Sequence, residues 1–197
     1  CNAWRLQYWA VTDAPTVVNL THHAYFNLAC GTRDVLDHFV QMNCTSYTPT
    51  DVGLVPTGKV LPVKGTPIDF TRPRRIGDGV DSKAAVIRNS LGYDHNFLID
   101  RTDKGLTLAA VAWEESSGRE LEVWTTEPCL QFYSANFLKP GVKGKRGAVY
   151  GPRYGLCFET QHIPDAPNQL GFAGIRLEPG DVMQSTTIYQ FSTDIGE

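Results

Sequence analysis

The chain has 197 residues, 42% of them hydrophobic, a globular composition that excludes an intrinsically disordered polypeptide. Eighteen Lys and Arg against twenty-one Asp and Glu leave a formal charge of -3, which argues against a nucleic-acid or anionic-membrane surface. The length suits a single all-β domain over residues 1–197, and no run of eighteen apolar residues reads as a membrane span.

In chain order the sequence predicts strand after strand. Residues 4–11 are aromatic-rich and roughly alternating, and they stop at Thr12-Asp13-Ala14-Pro15, which reads as a strand followed by a turn. A long strand is expected over 16–28, with weaker ones over 35–42 and 45–47. Residues 49–81 carry Pro49, Gly53, Pro56, Gly58, Pro62, Gly65, Pro67 and Pro73 and read as a long loop with short strands such as 59–63. Residues 106–113 and 120–125 flank Glu115-Ser116-Ser117-Gly118, a strong hairpin signal. Strands over 130–133, 155–160, 174–177 and 185–191 complete the set, the last preceded by the turn Glu178-Pro179-Gly180-Asp181. Little looks helical, and many short strands with turns between them imply an antiparallel β-sandwich.

The cysteines Cys1, Cys30, Cys44, Cys129 and Cys157 form no C-x-x-C pair. An odd, scattered set fits free thiols in a reducing, cytoplasmic compartment better than a disulfide framework. Lys143-Gly144-Lys145-Arg146 is short and glycine-broken, and reads as a solvated loop. The chain starts in strand-like sequence without an initiator methionine, so the expected sandwich is an incomplete one that lacks its N-terminal part.

Two histidines stand side by side at His22-His23. On a regular strand they point to opposite faces. Val18, Leu20, His22, Ala24, Phe26 and Leu28 would share an apolar face, and Asn19, Thr21, His23, Tyr25 and Asn27 a polar one. The apolar face belongs to the core, which makes His22 a structural residue and His23 the candidate for chemistry. On pattern alone, the polar row reads first as a solvated sheet surface. A carboxylate inside an apolar segment, Glu159 in Leu156-Cys157-Phe158-Glu159-Thr160-Gln161, is costly unless paired or catalytic. Asp94 lies among aromatics after a glycine turn, where capping the turn is the plainer role. Gln131 shares a face with Tyr133 and could be an ordinary outward residue.

Together and in this order, these residues resemble the aldose 1-epimerase (galactose mutarotase) family. The segments that carry the likeness are His22-His23-Ala24-Tyr25-Phe26-Asn27-Leu28-Ala29-Cys30, the loop from Gly53 to Phe70, Gly92-Tyr93-Asp94-His95-Asn96-Phe97, Gln131-Phe132-Tyr133-Ser134-Ala135-Asn136-Phe137 and Phe158-Glu159-Thr160-Gln161-His162-Ile163-Pro164-Asp165-Ala166. Three positions depart from the family pattern: His22 stands in place of the usual Asn, Ala24 of a hydroxyl residue and Cys30 of Gly.

The resemblance implies a large antiparallel sandwich with an open sugar cleft, His23 as general acid, Glu159 as general base, and Asp94 and Gln131 as substrate-binding residues. It implies no cofactor and no metal, and an aldohexose as the small-molecule partner. The family's domain begins well before this chain and draws a further histidine and an arginine from its N-terminal half; His38, His95 and His162 lie in other contexts. A separate chain or segment is therefore expected to supply that half. Three other readings compete: a non-catalytic carbohydrate-binding module, a glycosidase using Glu159 and Asp94 as its two carboxylates, and a metal site built from His22, His23 and His95.

Overall fold

The computed structural model describes residues 2–193. Cys1 therefore lies outside the described residues. The strands are β1 (Ala3–Ala10), β2 (Thr16–Val17), β3 (Phe39–Met42), β4 (Ser46–Thr48), β5 (Leu61–Pro62), β6 (Arg74–Arg75), β7 (Asp94–Leu98) and β8 (Thr107–Glu114). They continue as β9 (Arg119–Thr125), β10 (Cys129–Tyr133), β11 (Val142–Lys143), β12 (Val149–Tyr150), β13 (Cys157–Gln161), β14 (Arg176–Leu177) and β15 (Met183–Thr193). Among the described residues one short α-helix, α1 (Ala85–Arg88), and three single-turn 3-10 helices interrupt them. None of the described helices is long and apolar enough to cross a membrane.

Two antiparallel sheets dominate. One has six strands in the order β1-β15-β9-β8-β3-β6, the other five in the order β13-β10-β7-β4-β5. Alternation explains how they pack. Leu121 and Val123 of β9, Ala110 and Ala112 of β8, and Tyr189 of β15 turn inward from the first sheet. Leu130 and Phe132 of β10, Phe158 of β13 and Phe97 of β7 meet them from the second, all in one buried cluster. This is the face-to-face arrangement of a sandwich, in which every second residue of the five-stranded sheet is left on an outer face. The expected β8–β9 hairpin forms, closed by residues 115–118 with Gly118 at φ +64°.

Three expectations are corrected. The segment 16–28 is a strand only at Thr16–Val17, which pairs with β14. Beyond it the backbone is held mainly by side chains and isolated bonds instead of a ladder. Asn19 donates to the His162 carbonyl at 3.0 Å and accepts from its N–H at 3.0 Å. Asn27 donates to the carbonyls of Arg33 and Tyr154, and Phe26 forms a lone bridge with Leu156. The proposed inward face holds from His22 onward but not before it, since Leu20 is exposed. The expected 35–42 strand begins only at Phe39, because 35–38 forms a turn closed by the His38 N–H donating to the Val35 carbonyl. Finally, Asp94 is not a turn cap but the first residue of β7, a central strand that the sequence reading left out.

Candidate active site

The outer face of the five-stranded sheet carries the site. Glu159 on β13 is directly opposite Gln131 on β10, Gln131 opposite Asn96 on β7, and Asn96 opposite Thr48 on β4. Four polar side chains thus form one row across four adjacent strands. The next row sets Cys157 and Asp94 on either side of Tyr133. Apart from Cys157, which is buried beneath them, these residues floor an open cavity of about 450 Å³. His23 and Tyr25 form one wall, Thr50, Leu54 and Pro56 of the proline-rich loop another, and Phe137 and Pro164 complete the rim.

The cross-sheet packing fixes β13, which is an edge strand. Tyr189 of β15 donates its hydroxyl to the Phe158 carbonyl at 2.7 Å, and the Thr160 and Thr187 hydroxyls bond at 2.6 Å. Both ties come from residues adjacent to Glu159, so its backbone is clamped on either side while its side chain points to the cavity. His23 is held differently. Its ring stacks on Tyr25 at 5.1 Å and meets Tyr133 edge-on at 6.0 Å, leaving it about half exposed.

His23 Nε2 lies 3.4 Å from Glu159 Oε1. That gap is longer than a well-formed N–H···O bond, and it leaves both groups free to engage something between or beside them. Among the described residues the Glu159 carboxylate receives no hydrogen bond, and burial raises its pKa to about 7, with His23 pulling it down and Asp94 pushing it up. Asp94 is also raised, first by burial, while the hydrogen bond from Gln131 and the charge of His23 oppose the shift. Gln131 Nε2 donates to Asp94 Oδ1 at 2.6 Å, and this leaves Gln131 Oε1 buried with no partner; Asn96 Oδ1 is likewise buried and unpartnered. Buried polar atoms normally have partners, so two such acceptors on a cavity floor are suited to hydroxyl donors from a ligand.

All four residues singled out in the sequence therefore come together around one cavity, and the other histidines do not join them. His22 packs edge-on to Trp4 at 4.6 Å, on the core side. His95 turns inward, donating Nε2–H to the Val86 carbonyl at 2.7 Å and accepting the Asp94 N–H at Nδ1. Burial lowers its pKa to about 4. His38 Nε2 accepts the Leu28 N–H in the core, and His162 Nδ1 pairs with buried Glu127 at 2.8 Å. A metal set of His22, His23 and His95 is thus ruled out by direction. The sequence reading missed Asn96, Thr48, Gln161 and Phe137. For Asn96 the signal was present, since Asp94-His95-Asn96-Phe97 alternates polar and buried.

A histidine and a largely buried carboxylate within 3.4 Å of each other, beside polar groups suited to hydroxyls, can deliver and remove protons at one small polar molecule. The family model for aldose 1-epimerase matches residues 1–190. The galactose mutarotase of Rattus norvegicus is 43% identical over 188 residues, and the aldose 1-epimerase of Escherichia coli K12 is 36% identical over 194. Those matches cover 95% and 96% of this chain but 53% and 55% of the relatives, so the chain spans about half their length. A solved aldose epimerase homologue from C. elegans superposes with a TM-score of 0.86 at 30% identity, covering 98% of this chain and 56% of its own. Galactose 1-epimerase from Lactobacillus acidophilus gives 0.82, also at 30% identity, covering 98% and 54%.

Proposed function

Because the chain belongs to the aldose 1-epimerase family, we propose that it supplies the proton-transfer pair of an enzyme that interconverts the α and β anomers of a free aldohexose such as galactose or glucose. The observation that carries this reading is the His23–Glu159 approach of 3.4 Å on the open cavity. The two oxygens that must exchange protons in anomerisation, the ring oxygen and the anomeric hydroxyl, are bonded to the same carbon. Two proton carriers this close can serve both at once.

In the opening step His23 gives a proton to the ring oxygen while ionised Glu159 takes one from the anomeric hydroxyl. The bond from the anomeric carbon to the ring oxygen breaks and a carbonyl forms. Rotation about the adjoining carbon–carbon bond presents the other carbonyl face. Closure then runs the two transfers backwards, returning the proton to His23 and leaving Glu159 able to repeat the cycle. No electrons leave the sugar. Asp94, Gln131 and Asn96 accept or donate to its hydroxyls, and exposed Phe137, stacked on Tyr133, is suited to cover an apolar sugar face. A segment equivalent to the remaining half of the relatives completes the sugar site, from this or another chain.

Polarimetry on freshly dissolved α-galactose, with the protein carrying that remaining segment, tests the reading. Relaxation faster than buffer that falls by about 10²–10⁴-fold in His23→Ala and in Glu159→Gln supports it. Wild-type rates in either variant overturn the role given to that residue. Folded protein that binds sugar but relaxes it no faster than buffer overturns the activity.

A further inference from the structure

Cys157 takes no part in the anomerisation chemistry, yet it stands two residues from Glu159 on the same face of β13. Its thiol is fully buried beneath the cavity wall, packed with Tyr133 and Ala135. Core filling explains the burial. It does not explain what the sulfur faces: Cys157 Sγ, His23 Nε2 and a Glu159 carboxylate oxygen all lie within 4.8 Å of one another. Among the described residues this is the one group of three such donors.

We propose that His23, Cys157 and Glu159 form a three-donor site for a zinc-class divalent cation, which shuts the acid–base pair off by occupying it. Zn²⁺ bonds nitrogen and oxygen at about 2.0–2.1 Å and thiolate sulfur at about 2.3 Å, so tetrahedral ligands stand about 3.3–3.6 Å apart. The His23–Glu159 separation of 3.4 Å already meets that spacing. The other donor pairs lie within 4.8 Å, so closing on an ion needs movements of up to about 1.5 Å, shared between rotation of the half-exposed His23 ring and of the Cys157 and Glu159 side chains. Imidazole, thiolate and carboxylate together select zinc-class ions over magnesium or calcium, which prefer all-oxygen cages. The open cavity leaves a fourth position for water.

Binding is balanced by proton release. Cys157 gives its thiol proton to solvent, Glu159 gives up its own where it carries one, and His23 coordinates through its neutral Nε2. The bound ion then holds the lone pairs that anomerisation uses. The site itself stands apart from the proposed activity; only competition between ion and sugar rests on that activity.

Co²⁺ is the spectroscopic probe and Zn²⁺ the calorimetric one. Exposed Cys30 is first replaced by Ser to remove an accidental ligand. In that background, one equivalent of Co²⁺ is expected to produce a thiolate-to-cobalt charge-transfer band. Cys157→Ser is expected to abolish it and His23→Ala to weaken Zn²⁺ binding at least ten-fold. The absence of the band, its survival in Cys157→Ser, or unchanged Zn²⁺ affinity in His23→Ala overturns the site. His23 is exposed enough for its variant to fold even if the core substitution does not. None of these measurements uses turnover, so their failure leaves the anomerase reading standing. Galactose that fails to raise the apparent Kd for Zn²⁺ overturns only the competition.

Discussion

Glu159 and Glu114 are both buried, at 8% and 2% exposure, yet they titrate in opposite directions. Burial pushes both up, but Glu114 accepts hydrogen bonds from Ser116 and Ser117 that outweigh it and hold its pKa at about 2, and Arg33 lies 2.5 Å away. Glu159 has no such donors and rises to about 7, so it is half ionised near neutrality. Its contribution to stability is fully present below its ordinary value of 4.5 and is lost as pH rises through 7, because the folded state then holds an unsolvated charge. Glu159→Gln should therefore be more stable than wild type above pH 7, by on the order of 1–3 kcal/mol, and no more stable below pH 4.5, as read by urea unfolding across that range. Asp94 raises Glu159 through its charge, so Asp94→Asn should lower the Glu159 titration midpoint, which carboxyl NMR would show directly. An unmoved midpoint would mean that the two carboxylates are not electrostatically linked.

Among the elements, the strands with clean alternation were legible: β8, β9, β10 and β15 lie close to where apolar periodicity puts them. The 16–28 segment was misread because its pattern is strand-like while its Asn19 and Asn27 side chains hold it to the backbone of His162, Arg33 and Tyr154, and pattern alone carries no information about a ladder partner. Strand β7 was missed because Gly92 and Asp94 look like turn residues. Gly92 does belong to a special backbone: φ is +145°, and a Cβ there would lie 2.2 Å from Asn136 Oδ1. Asn136 in turn donates to the carbonyls of Ser90 and Tyr93, fixing where β7 begins. Gly92→Ala is expected to cost roughly 2 kcal/mol or more in urea unfolding and to displace Asp94 from Gln131. Tyr189→Phe should cost about 1 kcal/mol through the lost bond to Phe158. It should also speed amide exchange in β13 more than elsewhere. Uniform exchange across both sheets would show that this tie does not hold the strand.

At the scale of the whole molecule, ordered motifs spread along the chain revealed the family, whereas the convergence of His23 and Glu159, so far apart in sequence, needed coordinates. The six-stranded sheet ends in β1, which among the described residues pairs only with β15 and presents Trp9 at 56% exposure. An open edge with exposed aromatics is a template for pairing with another strand. The β1 edge is expected to drive self-association of this chain at high concentration, and Trp9→Lys to reduce that association in sedimentation velocity. A wild-type chain that stays monomeric at every concentration would count against an adhesive edge.

The row from Glu159 through Gln131 and Asn96 to Thr48 also works as a ruler. Its graduations are the strands themselves, about 4.8 Å apart, a step comparable to the breadth of a pyranose ring. On the proposed activity, a hexose seated one graduation too far along would meet an amide where it needs a carboxylate, and would leave unchanged. Misplacement on this surface is thus silent instead of destructive, and the sheet's own periodicity, at no cost in extra residues, separates a productive encounter from an idle one.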